Sequence, residues 1–373
     1  MIRLFAIMNA NSPSVQHYRS RGTFPWLHKE TNGQIVVERH EMRDFNPADL
    51  VAADVVFMDR PVEPHALGVI QAAKLRGKKV WVDFDDYIWD IPRGNNARPY
   101  YLDQNNMKMV EKAITSADVV TVTTPYLQKA YSQLNPNTVV IPNCWDDYCF
   151  PENEWHEVES QHSPARIAWR GSNSHNADIY HARGVIAEIL RHPQHFDFKQ
   201  FGGDDPHFIE GFDPATQMVP WSDLFVFWRR FFSAGIDYVF FPLIDHPFNK
   251  GKSNIVWIEA AIAGAVVIAP QHAPAFDVPG VIRYKDNQHA KKVFQDIKAG
   301  KYDKVDLVSK AREYLKQHYR LTEINRLRFS VALQLMGVNI AQDNGKTENA
   351  KAEQPKPAVD KQRTTRQAAK VNQ

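Results

Sequence analysis

The sequence predicts an α/β protein of two Rossmann-like domains facing a cleft. Three observations carry this: the chain length, the alternation of short β-rich runs with amphipathic stretches, and a restart of that rhythm after residue 163. At 373 residues the chain exceeds the size at which one core usually stays single, so two domains of roughly 150 residues each are the natural division. One large barrel is the architectural alternative. Alternating β and amphipathic segments are the pattern of βα units with parallel sheets, whose ligands sit at the carboxyl ends of the strands.

In the first half the predicted strands are 3–8, 35–39, 55–58, 79–83, 119–123 and 138–141, with helices over 14–29, 64–76, 107–116 and 125–132. Residues 143–163 are polar, carry Pro151 and several acidic side chains, and show no clean period, so they read as the interdomain connection. The second series of strands is 165–169, 196–201, 217–219, 238–242, 266–269 and 281–284. A helical segment over 304–335 closes the fold. The expected domains are therefore 1–148 and 149–317, with 318–338 returning to the first. Residues 341–373 change to Lys, Gln, Asn, Ala, Thr and Pro and are expected to be a disordered tail, since they offer too little apolar surface to offset ordering. Its Lys356, Lys361, Arg363, Arg366 and Lys370 suit a polyanion, or simply a solvated terminus.

Composition excludes several classes. An apolar fraction of 43% with 12% aromatic residues rules out global disorder, and a net charge of +2 announces no polyanionic partner by itself. Only Cys144 and Cys149 are present, too few for a disulfide framework, so free thiols in a reducing compartment are expected. The fifteen histidines show no metal-ligand spacing, and no metalloenzyme is expected. The apolar start, Ile2 to Met8, is too short for a signal-peptide core, and the apolar run 260–269 is far short of the roughly 18 residues that span a bilayer. A cytoplasmic protein without a transmembrane segment is the expectation, with peripheral membrane contact left open.

The sharpest chemical signal is the stretch from Phe241 through Phe248, Asn249, Gly251, Lys252, Ser253 and Asn254 into the apolar helix that holds Glu259 and ends at Gly264. Strand, glycine-containing loop and helix start together present free N–H groups and a positive dipole end, which favour phosphate. Lys252 adds a full charge. Glu259 inside an apolar helix is a costly placement unless it meets a polar ligand such as ribose hydroxyls; the plainer reading is an exposed glutamate on an amphipathic helix. Gly171 and Ser172 follow the strand 165–169, where a missing side chain permits close approach to phosphate or merely a tight turn. His175 and Asp178 have the spacing to share a helix face.

Asp83, Asp85 and Asp86 crowd the end of the strand 79–83 and need compensating charge. Read alone, they are a functional loop, a helix-capping acidic turn, or a metal-binding Asp-x-Asp motif. Trp221, Phe225, Phe227, Trp228, Phe231 and Phe232 show helical spacing and are expected to pack the second domain, with base stacking by Trp221 as the sharper alternative.

The loop from Phe248 to Asn254, with Glu259, Gly264, Val267 and Ile268, resembles GT-B glycosyltransferases of the group often called family 4. The likeness extends, in the family's order, to His17-Tyr18-Arg19, Asp54 to Pro61, Val82 to Asp86, Thr123 to Leu127, Ile141 to Asn143 and Gly171 to Asp178. The resemblance implies retaining transfer from a nucleoside diphosphate sugar, with no obligatory metal and no separate cofactor. It implies Lys252 at the leaving diphosphate, assisted by the Ser253 and Asn254 N–H groups and by Arg170 or Arg19. It also implies donor contacts from Gly171, Ser172, His175, Asp178, Phe248, Asn249 and Gly251, with Glu259 toward the nucleoside and Asp85 orienting the sugar or the acceptor hydroxyl. Two departures limit the carry-over. A paired glutamate common in the family is Gly251 here, and its Arg and Lys pair after the strand 165–169 is replaced by the segment 172–178.

The expected acceptor is a saccharide or glycoconjugate. A hydroxymethylated DNA base is the alternative, suggested by the basic tail and by Arg19, Arg21, Arg39, Arg43, Arg93 and Arg98. A sugar-nucleotide epimerase and a catalytically dead sugar-nucleotide-binding protein are the remaining readings.

Overall fold

The computed structural model describes residues 1–8 and 13–338, the side chains of 13 and 14 excepted. The tail expected over 341–373 lies outside the described residues. Two six-stranded sheets, each fully parallel, form two lobes of one compact unit. The first contains β1 (Ile2–Met8), β2 (Ile35–Glu41), β3 (Val55–Asp59), β4 (Lys79–Phe84), β5 (Val119–Val122) and β6 (Thr138–Val140), in the order β2-β1-β3-β4-β5-β6. The second contains β7 (Ala165–Arg170), β8 (Phe196–Phe201), β9 (Met218–Val219), β10 (Tyr238–Phe240), β11 (Val266–Pro270) and β12 (Val281–Tyr284), in the order β12-β11-β10-β7-β8-β9.

Central strands are apolar throughout because helices cover both faces: every residue of β3 and of β11 is buried. In each sheet the chain runs to one side and then returns to the other, reversing between β1 and β3 and between β7 and β10. Such reversals open a crevice at the strands' carboxyl ends, where helices diverge to opposite faces. Loops that line a cavity between the lobes are found there.

Two long predicted helices are each broken. The stretch expected to be one helix over 14–29 is a short helix Pro13–Gln16, a π-helical turn His17–Arg21 and a helix Phe24–Glu30. Gly22 ends the π-turn because the His17 ring lies against it: a Cβ there would stand 2.5 Å from the ring. The segment expected over 304–335 is two helices, Lys304–His318 and Leu321–Leu335. Between them the Trp145 N–H donates to the Tyr319 carbonyl at 2.7 Å, and the Leu321 N–H donates to the Trp145 carbonyl at 2.9 Å. The chain leaves the helical path to make this pairing, and a residue period of 3.6 continues across so short an interruption. Beyond it, Leu321, Ile324, Val331 and Ala332 pack with Ile2, Leu4 and Phe24 of the first lobe.

Candidate functional site

A cavity of about 830 Å3 opens between the lobes, lined by loops at the carboxyl ends of β3, β4, β7 and β8 and by the segment that follows β10. Its size falls within the roughly 300–1,000 Å3 of small-molecule sites.

The first lobe contributes a charged cluster. Arg60, just past β3, adopts φ 42°, a conformation that side-chain-bearing residues seldom hold without compensation. The compensation is electrostatic: its guanidinium donates to Asp85 and, at 2.8 Å, to Asp86. Burial raises the Asp85 carboxyl above the ordinary carboxylate range even with Arg60 beside it. Burial acts the same way on Asp86, but the charges of Lys252 and Arg60 outweigh it and hold that carboxyl down at about 2. The third carboxylate, Asp83, turns away from the cavity and is bonded to Arg19. The crowding evident in the sequence is thus relieved by three cations, Arg19, Arg60 and Lys252, on three different segments.

The second lobe contributes Lys252, Ser253, Ile255, Val256 and Glu259 from the loop after β10 and the start of the helix Ile255–Ala263. Lys252 Nζ lies 2.8 Å from Asp86 across the cavity and 4.1 Å from the centre of the Phe248 ring. Glu259 is buried and fully engaged. Its Oε1 accepts from the Tyr18 hydroxyl at 2.7 Å and the Trp228 indole at 2.9 Å, and its Oε2 pairs with Arg170. The exposed-glutamate reading is therefore overturned: an apolar helix tolerates this carboxylate because three donors reach it. Burial and the Glu259 charge push the Tyr18 hydroxyl well above its usual range.

Three glycines shape the wall. A Cβ on Gly171 would stand 2.7 Å from the Trp169 ring; on Gly202, 2.6 Å from the Gly171 carbonyl; on Gly203, 2.9 Å from Trp169. Gly202 and Gly203 also have φ of +76°. Only residues without side chains let the backbone after β7 and β8 run so close together.

Of the predicted site residues, Asp85, Arg170, Gly171, Ser172, His175, Phe248, Lys252, Ser253 and Glu259 line the cavity. The others stand behind it or elsewhere. Asp178 holds His175 Nδ1 at 2.8 Å with one oxygen and, with the other, accepts from the Ile244 N–H and from Asn249. Asp178 and Asn249 thus brace the loop instead of facing the cavity. Gly251 abuts Leu127 of the first lobe, where a Cβ would come within 2.8 Å, and Asn254 precedes the helix it caps with its carbonyl. Arg19, expected to assist at a phosphate, is sealed inside the first lobe: it binds both oxygens of Asp83, the Ile141 carbonyl and Asn143. Four of its five N–H donors are engaged there, and the buried side chain does not line the cavity.

Trp221 departs from its expected place. It precedes the helix Leu224–Phe232, is 61% exposed and lines the cavity, whereas Trp228 and Phe231 of that helix are buried. Sequence reasoning missed Arg60, Tyr101, Gly202, Gly203 and Arg230 as lining residues. The glycine pair directly after a predicted strand was the available signal. Nothing local in the sequence marks Arg230 or Tyr101. The cavity can hold an anion beside Arg170, Arg230 and Lys252, and hydroxyl groups beside Asp85, Asp86 and Glu259.

Among the described residues no helix is long and apolar enough to cross a membrane. No protein-family model and no curated protein matches the chain. Solved structures do. Anabaena HepE in complex with UDP-glucose is similar over 90% of this chain and 100% of its own, with a TM-score of 0.60 at 14% identity. A glycosyltransferase from Rickettsia africae is similar over 91% and 99%, at TM-score 0.57 and 12% identity. A putative UDP-N-acetylglucosamine 2-epimerase from Listeria monocytogenes is similar over 91% and 98%, at TM-score 0.53 and 10% identity. The chain has the two-lobed GT-B fold that these proteins share.

Proposed function

We propose that the chain is a retaining glycosyltransferase that moves a sugar from a nucleoside diphosphate sugar to a hydroxyl acceptor without an obligatory metal. The observation that carries this reading is the convergence on one cavity of Lys252, Arg170 and a helix start from one lobe with the carboxylates Asp85 and Asp86 from the other. Breaking the anomeric C–O bond puts negative charge on the diphosphate. Positive groups fixed beforehand stabilise that charge more than the ground state. Lys252 is assigned to the diphosphate, with Arg170 and the N–H groups at Ser253 assisting, and Glu259 to the ribose. Asp85 orients the acceptor hydroxyl, whose proton passes to the departing phosphate oxygen on the face where the new bond forms.

The acceptor assigned is a saccharide or glycoconjugate in the cytoplasm. The epimerase reading draws on the fold shared with the Listeria protein. Incubation of the purified protein with UDP-sugars and a chelator, with and without an oligosaccharide panel, separates the two. Transfer that persists with chelator supports the proposal, and a new sugar nucleotide formed from donor alone supports the epimerase. Lys252→Ala should lower transfer by roughly 10²–10³-fold, the usual loss for one transition-state donor. Undiminished turnover in Lys252→Ala and Glu259→Ala alike would reject the assigned roles.

A further inference from the structure

Outside the cavity, His17, Asp146 and Cys149 come together from opposite ends of the first lobe's sequence. One ligand-capable atom of each, a ring nitrogen, a carboxylate oxygen and the sulfur, lies within 4.8 Å of the others. None of the three lines the large cavity. His17 Nε2 and Asp146 Oδ2 form an ion pair at 3.2 Å, both side chains being more than nine-tenths buried, but the two atoms are not aligned as a hydrogen bond. Close, buried and poorly aligned polar atoms are an arrangement that protein interiors avoid unless something else satisfies them.

The three side chains are held in place by their surroundings. His17 opens the π-helical turn, a distortion common at functional sites, and its ring is caught between Gly22 and Trp228, with centroids 4.8 Å apart for the latter pair. The other Asp146 oxygen accepts from the Tyr148 and Cys149 N–H groups at 3.2 and 3.1 Å, which fixes the carboxylate and brings Cys149 round to the same side. A void of about 10 Å3 adjoins His17 and Asp146, enough for about one water.

We propose that His17, Asp146 and Cys149 bind a zinc ion, with a water in the fourth position. One nitrogen, one oxygen and one sulfur donor suit zinc, which accepts all three in tetrahedral geometry, better than magnesium or calcium, which take oxygen alone. A cysteine thiol is ordinarily protonated at neutral pH. Zinc must therefore displace that proton as the Zn–S bond forms, releasing it to solvent. The bound ion ties the π-turn to the segment that leaves β6 for the second lobe. Tyr18, the next residue after His17, bonds Glu259, so the tie also steadies one wall of the cavity.

The test uses the full chain freed of metal, titrated with Co2+ and then Zn2+. The expected result is one Co2+ per chain with a near-ultraviolet thiolate-to-cobalt charge-transfer band, bleached by stoichiometric Zn2+, and release of at least one proton per ion in weak buffer. Cys149→Ser removes the band, and His17→Ala weakens binding by more than the roughly 10–100-fold typical of outer-sphere partners. Cys144→Ser keeps both band and affinity. Because His17→Ala alters a packed turn, Cys149→Ser at a half-buried position is the decisive variant, with circular dichroism as the folding check. Absence of the band, or a band lost in Cys144→Ser and kept in Cys149→Ser, overturns the proposal.

Discussion

The carboxylates of Asp83 and Asp85, two residues apart where β4 ends, meet opposite surroundings. Asp83 is sealed: Arg19 binds its oxygens at 2.9 and 2.6 Å, Thr121 donates at 2.5 Å, and the Arg19 and Asp83 side chains are 2% and 4% exposed. Asp85 and its neighbour Asp86 share Arg60, and Asp86 also holds Lys252 from the other lobe, all at the cavity wall. Continued alternation would put both carboxylates on one face; instead the strand ends at Phe84, so Asp83 stays in the lobe while the loop beyond turns Asp85 to the cleft. The charges are similar; the difference is access. A sealed pair contributes to stability only because removing one partner strands the other, whereas an open cluster can exchange its partners for a ligand's charges.

The largest expected effect separates the two. Arg19→Ala leaves Asp83 buried without its cation and should cost about 3–5 kcal/mol in urea unfolding. Arg60→Ala, at a partly solvated site, should cost about 1 kcal/mol and act mainly on turnover. Equal destabilisation by the two variants would break the contrast.

A smaller effect tests the open cluster through pH. Asp86 is held at about 2 in the folded protein against an ordinary 3.8. Its depressed value means that the stability it contributes is complete above about pH 4 and is lost as pH falls from there toward 2. Asp85, raised by burial, has the opposite sign: its charge opposes folding at neutral pH, and that penalty fades as acid neutralises it. Asp86→Asn should therefore be less stable than the parent at pH 7, with the gap closing as the pH approaches 2. A gap that stays constant over that range would mean that Asp86 is not held by Lys252 and Arg60.

The same contrast explains what could be read in the sequence. Strands were legible because β-branched and aromatic runs such as Val55 to Met58 have no other use in a parallel sheet, and the phosphate-type loop was legible because Gly251 to Asn254 precede an apolar helix. Charge partnerships were not. Arg19 and Arg60 each follow chemistry-bearing neighbours, and nothing local says that Arg19 turns inward to Asp83 while Arg60 twists to φ 42° to reach Asp85. Lys252 and Asp86 meet only after both sheets are built. The broken helices failed for a related reason: Gly22 is required by the ring of His17, and the break at Tyr319 by Trp145, which is distant in the chain.

The π-turn repeats the contrast on consecutive residues, since it sends Arg19 into the first lobe and Tyr18 across to Glu259 of the second. Tyr18→Phe removes one hydroxyl while Trp228 still satisfies the same Glu259 oxygen, so the loss of stability should be only about 1 kcal/mol. Under the proposed function, ribose hydroxyls reach Glu259 by displacing Tyr18. Deleting the competitor should then tighten UDP-sugar binding, by about fivefold if the whole of that energy is recovered. Calorimetric titration of both proteins with a UDP-sugar measures it. Weaker binding by Tyr18→Phe would instead make Tyr18 a donor contact and move it, with its half of the turn, from the closing elements of the cavity to its binding surface.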